Sequence, residues 1–531
     1  MRLAVYSHNY WPEPIGIPFY NTSMCEWFVR KLGWDVTIRT GMPHYPWWKV
    51  PADYADKDYR NGGADEVHNG VKIERVRHFV PKPPPSTLGR MRMDVSWLVA
   101  SAWRSLFTKE KPDAVLLIAP PFLIGLLGMF LRLRWNVPVI YHIQDLQVDA
   151  AVELNMMPKF MTKALLMVER MMMNACDLVT TISPGMRQRV LDKKGAPQEV
   201  GLFPNWIDDD AIKPWTGANR FRAAWGIPAD GIVAMYSGNL GKKQGLEILI
   251  QAAAKLPKNV TVVIAGAGGE RVELERLAGE IAPGRVRFCD LVDAADLPEF
   301  LSAADMHCVV QRSAAAGTVM PSKLLNIMAV ARPVVVTAEA RTDLANAVES
   351  AGAGIVVAPE NAEVLAAAIT TLAIDGRRRA AAGASARTWI VEQFGIDRVL
   401  GHFALRLRLL AGKVRNGFST TEFASEAVPM PAMVSSPTVA AAEAVLAEEK
   451  AAEQEAEKIA EESTQETTAE PAHAQGAPGE LSAGDRAGVG MAQVAWAMRL
   501  AARTSARPGY RPGQAKPATP ATPTRRQTAN R

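Results

Sequence analysis

Cysteine is scarce in this chain, with four thiols (Cys25, Cys176, Cys289 and Cys308) in 531 residues. No two form a CxxC pair, and no Cys/His cluster has zinc-ligand spacing. A disulfide scaffold is thereby excluded, and reduced thiols in a cytoplasmic setting are expected. The chain also lacks a GxxxxGK[ST] phosphate loop and a GxSxG nucleophile elbow, which removes the P-loop and α/β-hydrolase chemistries. Its start, MRLAVYSHNYWPE, has no signal-peptide core and no small-residue cleavage site. The long apolar run at 114–131 (AVLLIAPPFLIGLLGMFL) spans 18 residues without a charge, and Pro120-Pro121 interrupts it. A buried strand over 114–118, a turn and a helix from 122 are expected there, not a membrane span. No internal repeat occurs at a solenoid period.

Large apolar residues become rare beyond about residue 416, a seam that the averages of 48% hydrophobic and 22% charged residues conceal. Residues 416–531 carry 11 Lys and Arg against 14 Asp and Glu, a net of −3; the whole chain is +5, so residues 1–415 carry +8. A mildly basic body suits an anionic ligand or an anionic membrane surface. The extension 416–531 is expected to be largely disordered, with one exposed Ala/Glu/Lys-rich helix over 440–462. Its last part is basic and low in complexity, and nucleic acid is not an expected partner.

What the first 415 residues do contain is alternation. Short apolar runs predict strands over 3–7, 35–40, 71–77, 114–118, 137–142 and 178–182, and helical periodicity marks 21–32, 93–107 and 163–175. The turn-rich PNWIDDD at 204–210 interrupts this pattern. It then restarts with strands over 231–237, 260–265, 286–288, 306–310, 333–337 and 354–357, separated by helices over 246–255, 270–282, 297–304 and 323–329. Helices over 362–374 and 377–394 follow. Such order implies an α/β chain of two doubly wound, Rossmann-like domains, 1–205 and 206–394, with ligands at the carboxyl ends of the strands and in the cleft between the sheets.

Four segments at strand ends are candidate sites. Residues 9–21 (NYWPEPIGIPFYN) place Gly16 before a helix whose first N–H groups are free for an anion; an ordinary glycine turn explains the same residues. His142, in YHIQD at 141–145, suits a hydrogen bond to a sugar hydroxyl, a proton-moving role, or a structural bond to Asp145 or backbone. Tyr236–Gly245, with SGNLGKKQG within it, joins a strand to a helix through glycines with Lys242 and Lys243, a cradle for a diphosphate or simply a solvated lysine pair. TVMPSKLLNIMAVA at 318–331 offers Ser322 as a helix cap, with Lys323 and Asn326 on one face. Two further motifs have plainer explanations. Asp208, Asp209 and Asp210 look like a metal-binding DxD but fit turn capping better. Gly266-Ala267-Gly268-Gly269 is not a complete dinucleotide fingerprint and fits a tight βα turn.

With GMPHYPWWKV at 41–50, YHIQDLQVDAA at 141–151, FPNWID at 203–208, YSGNLGKKQGLE at 236–247 and MPSKLLNIMAVARPVV at 320–335, residues 1–412 resemble glycosyltransferase family 4. This is the retaining GT-B type, and the nearest branch is that of colanic-acid and other exopolysaccharide clusters. The resemblance implies a nucleotide-sugar donor held by the second domain, a lipid-linked or saccharide acceptor on the first, no metal or other cofactor, and a helix over 395–415 crossing back to the first domain. It implies that Gly16 approaches the donor phosphate and that His142 lies near the transferred sugar. It also places Ser322, Lys323 and Leu324 in the donor-binding segment. Asn239 and Gln244 stand where many members carry the arginine and lysine that grip the diphosphate, with Lys242 and Lys243 beside them. Thr318 and Asn326 replace the usual pair of glutamates. On the acceptor side the resemblance gives His44, Tyr45 and Asp145. Action at the inner face of the cytoplasmic membrane is a further expectation, with ALRLRLLAGKVR at 404–415 either lying on anionic lipid or serving only as the crossover helix. A GT-B nucleotide-sugar epimerase and a non-catalytic sugar-nucleotide-binding scaffold are the alternatives.

Overall fold

Runs rich in Val, Ile and Leu become strands buried on both faces, as parallel sheets require. A computed structural model of the protein describes residues 1–416 apart from 14–15, 60–63, 84, 150–158, 194, 196, 198–199 and 313–321. The helix expected over 440–462 and Thr318 therefore lie outside the described residues.

The first half runs β1 (Arg2–Ser7), α1 (Ile17–Leu32), β2 (Asp35–Thr40), α2 (Ala52–Ala55), β3 (Glu66–His68), β4 (Val71–Arg75), α3 (Thr87–Phe107), β5 (Ala114–Ala119), α4 (Ile124–Trp135), β6 (Val139–Ile143), α5 (Lys159–Asn174), β7 (Leu178–Thr181), α6 (Pro184–Leu191) and β8 (Gly201–Leu202). The second runs α7 (Arg220–Ala224), β9 (Ile232–Ser237), α8 (Glu247–Ala253), β10 (Val260–Ala265), α9 (Arg271–Ile281), β11 (Val286–Cys289), α10 (Leu297–Ser302), β12 (Met306–Val309), α11 (Ser322–Ala329), β13 (Val334–Thr337), α12 (Asp343–Ser350), β14 (Gly354–Val357), α13 (Ala362–Ile374), α14 (Gly376–Phe394) and α15 (Ile396–Asn416).

These form an eight-stranded sheet, β3-β4-β2-β1-β5-β6-β7-β8, and a six-stranded sheet, β11-β10-β9-β12-β13-β14. All pairings are parallel except β3 with β4, an antiparallel edge that periodicity did not reveal because β3 is only three residues long. Helix starts account for most boundary differences. Pro18 stands in the first turn of α1, so the helix begins at Ile17 rather than at residue 21. Ser86 accepts a hydrogen bond from the Gly89 amide and starts α3 at Thr87 rather than at 93. The apolar run at 114–131 divides into β5 and α4, as expected. Among the described residues no helix is long and apolar enough to cross a membrane.

The chain passes between the sheets twice, and the two passages touch. The Ile207 amide donates to the Phe394 carbonyl at 2.8 Å, and the Ile396 amide donates back to the Ile207 carbonyl at 2.9 Å. Beyond this point α15 lies on the first sheet. Val399, Leu400, Phe403 and Leu407 join the core formed by Leu3, Val5, Phe28 and Ile118. The Phe403 ring stacks on Phe203 with centroids 3.7 Å apart, and Asp397 accepts from the Trp27 indole at 2.6 Å. Within 404–411, Ala404, Leu407 and Ala411 are buried, whereas Leu405 and Leu409 are exposed. The buried side of this segment is that of the crossover helix.

Candidate active site

In the six-stranded sheet β9 has β10 on one side and β12 on the other. Connections therefore leave its carboxyl end in opposite directions, which opens the crevice where α/β sheets take ligands. The segment 238–245 leaves β9 at this point. Its glycines do structural service, and so do those of the next turn. An ideal Cβ on Gly266 would lie 1.9 Å from the Gly238 carbonyl oxygen, and one on Gly268 would lie 2.0 Å from that of Leu240. The GAGG motif therefore lets the β10–α9 turn press against the loop, and amides of Gly238 and Leu240 donate to Ala265 and Ala267 carbonyls at 2.9 and 3.0 Å. That packing accounts for the glycines as a tight turn, the reading the sequence favoured.

The loop so braced presents Asn239 and Gln244 on either side of Gly241, whose ideal Cβ would lie 3.1 Å from the Asn239 Nδ2 and 3.1 Å from the Gln244 Oε1. The Asn239 Oδ1 and Gln244 Oε1 atoms are buried and have no hydrogen-bond partner among the described residues. Buried acceptors are rarely left so, and a ligand or ordered water is the usual complement. Lys242 and Lys243 form a short 3-10 turn with Gln244. Lys242 is exposed, and the Lys243 side chain lies outside the described residues.

Lys323 reaches this loop from the start of α11. Its Nζ sits 4.1 Å from the centre of the Tyr236 ring and 3.8 Å from the place a Cβ on Gly238 would take. Among the described residues no carboxylate lies within ion-pair distance of it. Desolvation pushes the ammonium down from 10.5 to about 8. An under-compensated cation beside two orphaned acceptors is arranged for an anionic, hydroxyl-bearing ligand. The neighbouring donor-segment residues differ in placement. The Leu324 side chain is fully buried in the core with Val334 and Val336, so only its backbone can face a ligand. Asn326 is half-buried on α11, and the Ser322 side chain lies outside the described residues.

In the eight-stranded sheet the corresponding reversal falls at β1, which pairs with β2 and β5. Gly16 caps α1 with φ of 74°, a conformation that favours glycine, and its Cβ position meets nothing within 4 Å. His142, on β6, is buried. Its Nδ1 lies 3.0 Å from the Thr180 hydroxyl, its ring packs against Phe203 at 4.8 Å, and burial pushes it down to about 3. So weak a base is neutral at physiological pH and poorly matched to moving a proton, which leaves hydrogen bonding as its chemical capacity. The partner is Thr180, not Asp145, which is exposed. His44 and Tyr45 follow β2, and both amides donate to the buried Glu13 Oε1, at 2.9 and 2.8 Å.

The acids at 208–210 act as turn formers. The Asp208 Oδ1 accepts from the amides of Asp210 and Ala211, and Asp210 pairs with Lys213 at 2.9 Å. Two residues inside the candidate segments, Tyr236 and Glu13, gain roles that the sequence did not give them, and a third contributor, Arg312, escaped sequence reasoning. Tyr236 supplies the ring beneath Lys323, and its hydroxyl donates to the Asn239 carbonyl at 2.7 Å. Arg312, just beyond β12, pairs with Glu247 and donates to the Lys242 carbonyl at 2.9 Å, holding the loop. Glu13 organises the loop after β2. The position of Arg312 just past a predicted strand end was the one available signal.

Known proteins match this arrangement. The model of the glycosyl transferase 4-like domain matches residues 16–206, and that of glycosyl transferases group 1 matches residues 218–389. The chain is 34% identical over 378 residues to WcaI of Escherichia coli K12, covering 70% of this chain and 91% of that protein, whose name provisionally assigns it to glycosyl transfer in colanic acid biosynthesis. Sucrose-phosphate synthase of Thermosynechococcus elongatus has a TM-score of 0.60 at 20% identity, covering 77% of this chain and 99% of its own. HepE of Anabaena, solved in complex with UDP-glucose, has a TM-score of 0.54 at 18% identity, covering 77% and 100%. The fold is the two-sheet GT-B arrangement that these structures share.

Proposed function

This chain belongs to the group 1 glycosyl transferases, and on that footing we propose that it moves a hexosyl group from a nucleotide-sugar donor to a lipid-linked or saccharide acceptor, with retention, in exopolysaccharide or cell-surface polysaccharide biosynthesis. The observation that carries the donor assignment is Lys323, which reaches from the start of α11 to the loop after β9, without a carboxylate partner among the described residues and beside the orphaned acceptors of Asn239 and Gln244. The ammonium and the loop amides neutralise the diphosphate, and the amide acceptors take hydroxyls of the donor. A solved relative of this fold, HepE, holds UDP-glucose.

The transfer proceeds on one face of the sugar. The acceptor hydroxyl oxygen bonds to the anomeric carbon as the bond to the diphosphate oxygen breaks. The bonding pair goes to that phosphate oxygen, which takes the acceptor proton. His142 is too weakly basic for that proton and hydrogen-bonds the sugar instead. Stabilisation of the leaving diphosphate falls to Lys323 and Lys242, and no divalent metal is needed.

The enzyme works as a peripheral protein at the cytoplasmic membrane face, and the support lies on α3 rather than on α15. Leu88, Met91, Val95, Val99, Trp103 and Leu106 recur at helical spacing on α3 and are all exposed. Arg90, Lys109 and Lys111 are exposed beside them. An apolar stripe with cationic flanks fits an anionic lipid surface.

Calorimetry with a panel of nucleoside diphosphates and their sugars, followed by transfer assays on lipid extract, tests the reading. Sugar transfer to an acceptor supports it. Free isomerised nucleotide sugar, or binding without turnover, would overturn it. Trp103→Glu should release the protein from anionic vesicles while transfer to a soluble acceptor continues.

A further inference from the structure

Metal-ligand spacing is absent from the sequence because spacing is read along the chain, whereas β1, β2 and β4 are neighbours in the sheet. Adjacent strands run about 4.8 Å apart, so residues just past their ends meet in space. His8 follows β1, His44 follows β2 and His78 follows β4. All three are buried, and one ring nitrogen of each lies within 4.8 Å of the others.

The outer hydrogen bonds of two of these rings fix their tautomers in one sense. The His44 Nδ1 lies 2.9 Å from the Met42 carbonyl, and the His78 Nδ1 lies 3.0 Å from the Phe79 carbonyl. Each therefore carries its proton on Nδ1 and keeps a lone pair on Nε2. The His8 Nδ1 faces the Asp94 Oδ1 at 3.6 Å. A backbone carbonyl or carboxylate behind each imidazole is the arrangement that orients metal-binding histidines. The His8 Nε2 is buried and has no hydrogen-bond partner among the described residues. Gly41 belongs to the same construction, since a Cβ there would lie 2.4 Å from the His78 Nε2 and 3.1 Å from the His8 Cδ2.

We propose that His8, His44 and His78 form a three-histidine site for a divalent transition ion of the zinc class. Three neutral imidazoles select zinc, cobalt, nickel or copper over magnesium. Zinc–nitrogen bonds of about 2.1 Å in tetrahedral geometry set ligand nitrogens about 3.4 Å apart, so binding draws the rings together by an ångström or so. His78 then exchanges the Met42 amide, 3.0 Å from its Nε2, for the ion. The ion ties together the loops after β1, β2 and β4. It is distinct from the diphosphate loop, and the proposal depends on no part of the transfer reaction.

The test uses the full chain, stripped with a chelator and dialysed. Elemental analysis after incubation with zinc should find one ion per chain. Titration with cobalt should give visible ligand-field bands that saturate at one equivalent, and zinc should raise the melting temperature. His8→Gln, His44→Gln and His78→Gln should each abolish the cobalt bands, while His402→Gln leaves them intact. Asp94→Asn keeps all three ligands and should weaken cobalt binding about 10–100-fold, so the proposal remains testable should the histidine variants fail to fold. Substoichiometric zinc on the wild-type chain, or cobalt bands that survive in the folded histidine variants, would overturn it.

Discussion

Lys323 offers the sharpest quantitative test of the donor site. Its ammonium is held down from 10.5 to about 8, chiefly by desolvation. That difference corresponds to roughly 3 kcal/mol held against the charged form. The sign follows directly. Below about pH 8 the free enzyme carries the charge that the diphosphate needs, and above it the charge is lost. The pH profile of kcat/KM reports the free enzyme, so it should be level up to about pH 8 and then fall tenfold per pH unit. The bend in kcat should lie at higher pH, because a bound diphosphate favours the ammonium. Donor binding at pH 8 should accordingly take up about half a proton per site, measurable by calorimetry in buffers of different ionisation enthalpy. Lys323→Met keeps the stem over Tyr236 and removes the charge. The loss of one preorganised electrostatic contact to a leaving group costs about 10²–10³ in rate, and the alkaline bend should vanish with it. A kcat/KM that stays level to about pH 9.5, or a methionine variant within about threefold of wild type, would refute the argument.

Three further outcomes follow from the packing and the first domain. Phe403→Ala removes a ring stacked 3.7 Å from Phe203 in a fully formed core and should cost about 3–5 kcal/mol in urea unfolding; a loss below about 1 kcal/mol would show that α15 is not part of that core. Gly16→Ala meets open space but must adopt φ of 74°, so it should destabilise by only about 1–2 kcal/mol while transfer falls at least about tenfold, as melting and activity measured on one preparation would show. His142→Gln should lower kcat without moving any acid limb, because the ring is neutral down to about pH 3; an inflection near pH 6.5 that disappears in this variant would contradict the hydrogen-bonding role.

Much of the fold was legible in the chain because strands buried on both faces leave unbroken apolar runs, and every strand predicted in the second half formed. What stayed hidden was short or set by caps. β3 is too brief for a period, α12 depends on a Thr342 hydroxyl accepting from the Ala345 amide, and α6 on the same device at Ser183. In the candidate site the lysines and glycines at the end of β9 were visible as a motif. Tyr236 was visible as the first residue of that segment but not as the ring beneath Lys323, and Arg312 only as one cation among many.

By itself, the sequence determined the alternation of strands and helices, the seam near residue 416, and the family through segments that must keep their local order at strand ends. Only the tertiary structure decided what those segments do to one another. It turned the GAGG motif into a brace for the loop after β9, because glycine alone allows a carbonyl oxygen to occupy the space of a Cβ. It spent Ala404 and Leu407 on the first domain's core and left the stripe on α3 exposed. It also brought His8, His44 and His78, dispersed along the chain, into one buried cluster, since sheet order and not chain order sets which strand ends are neighbours.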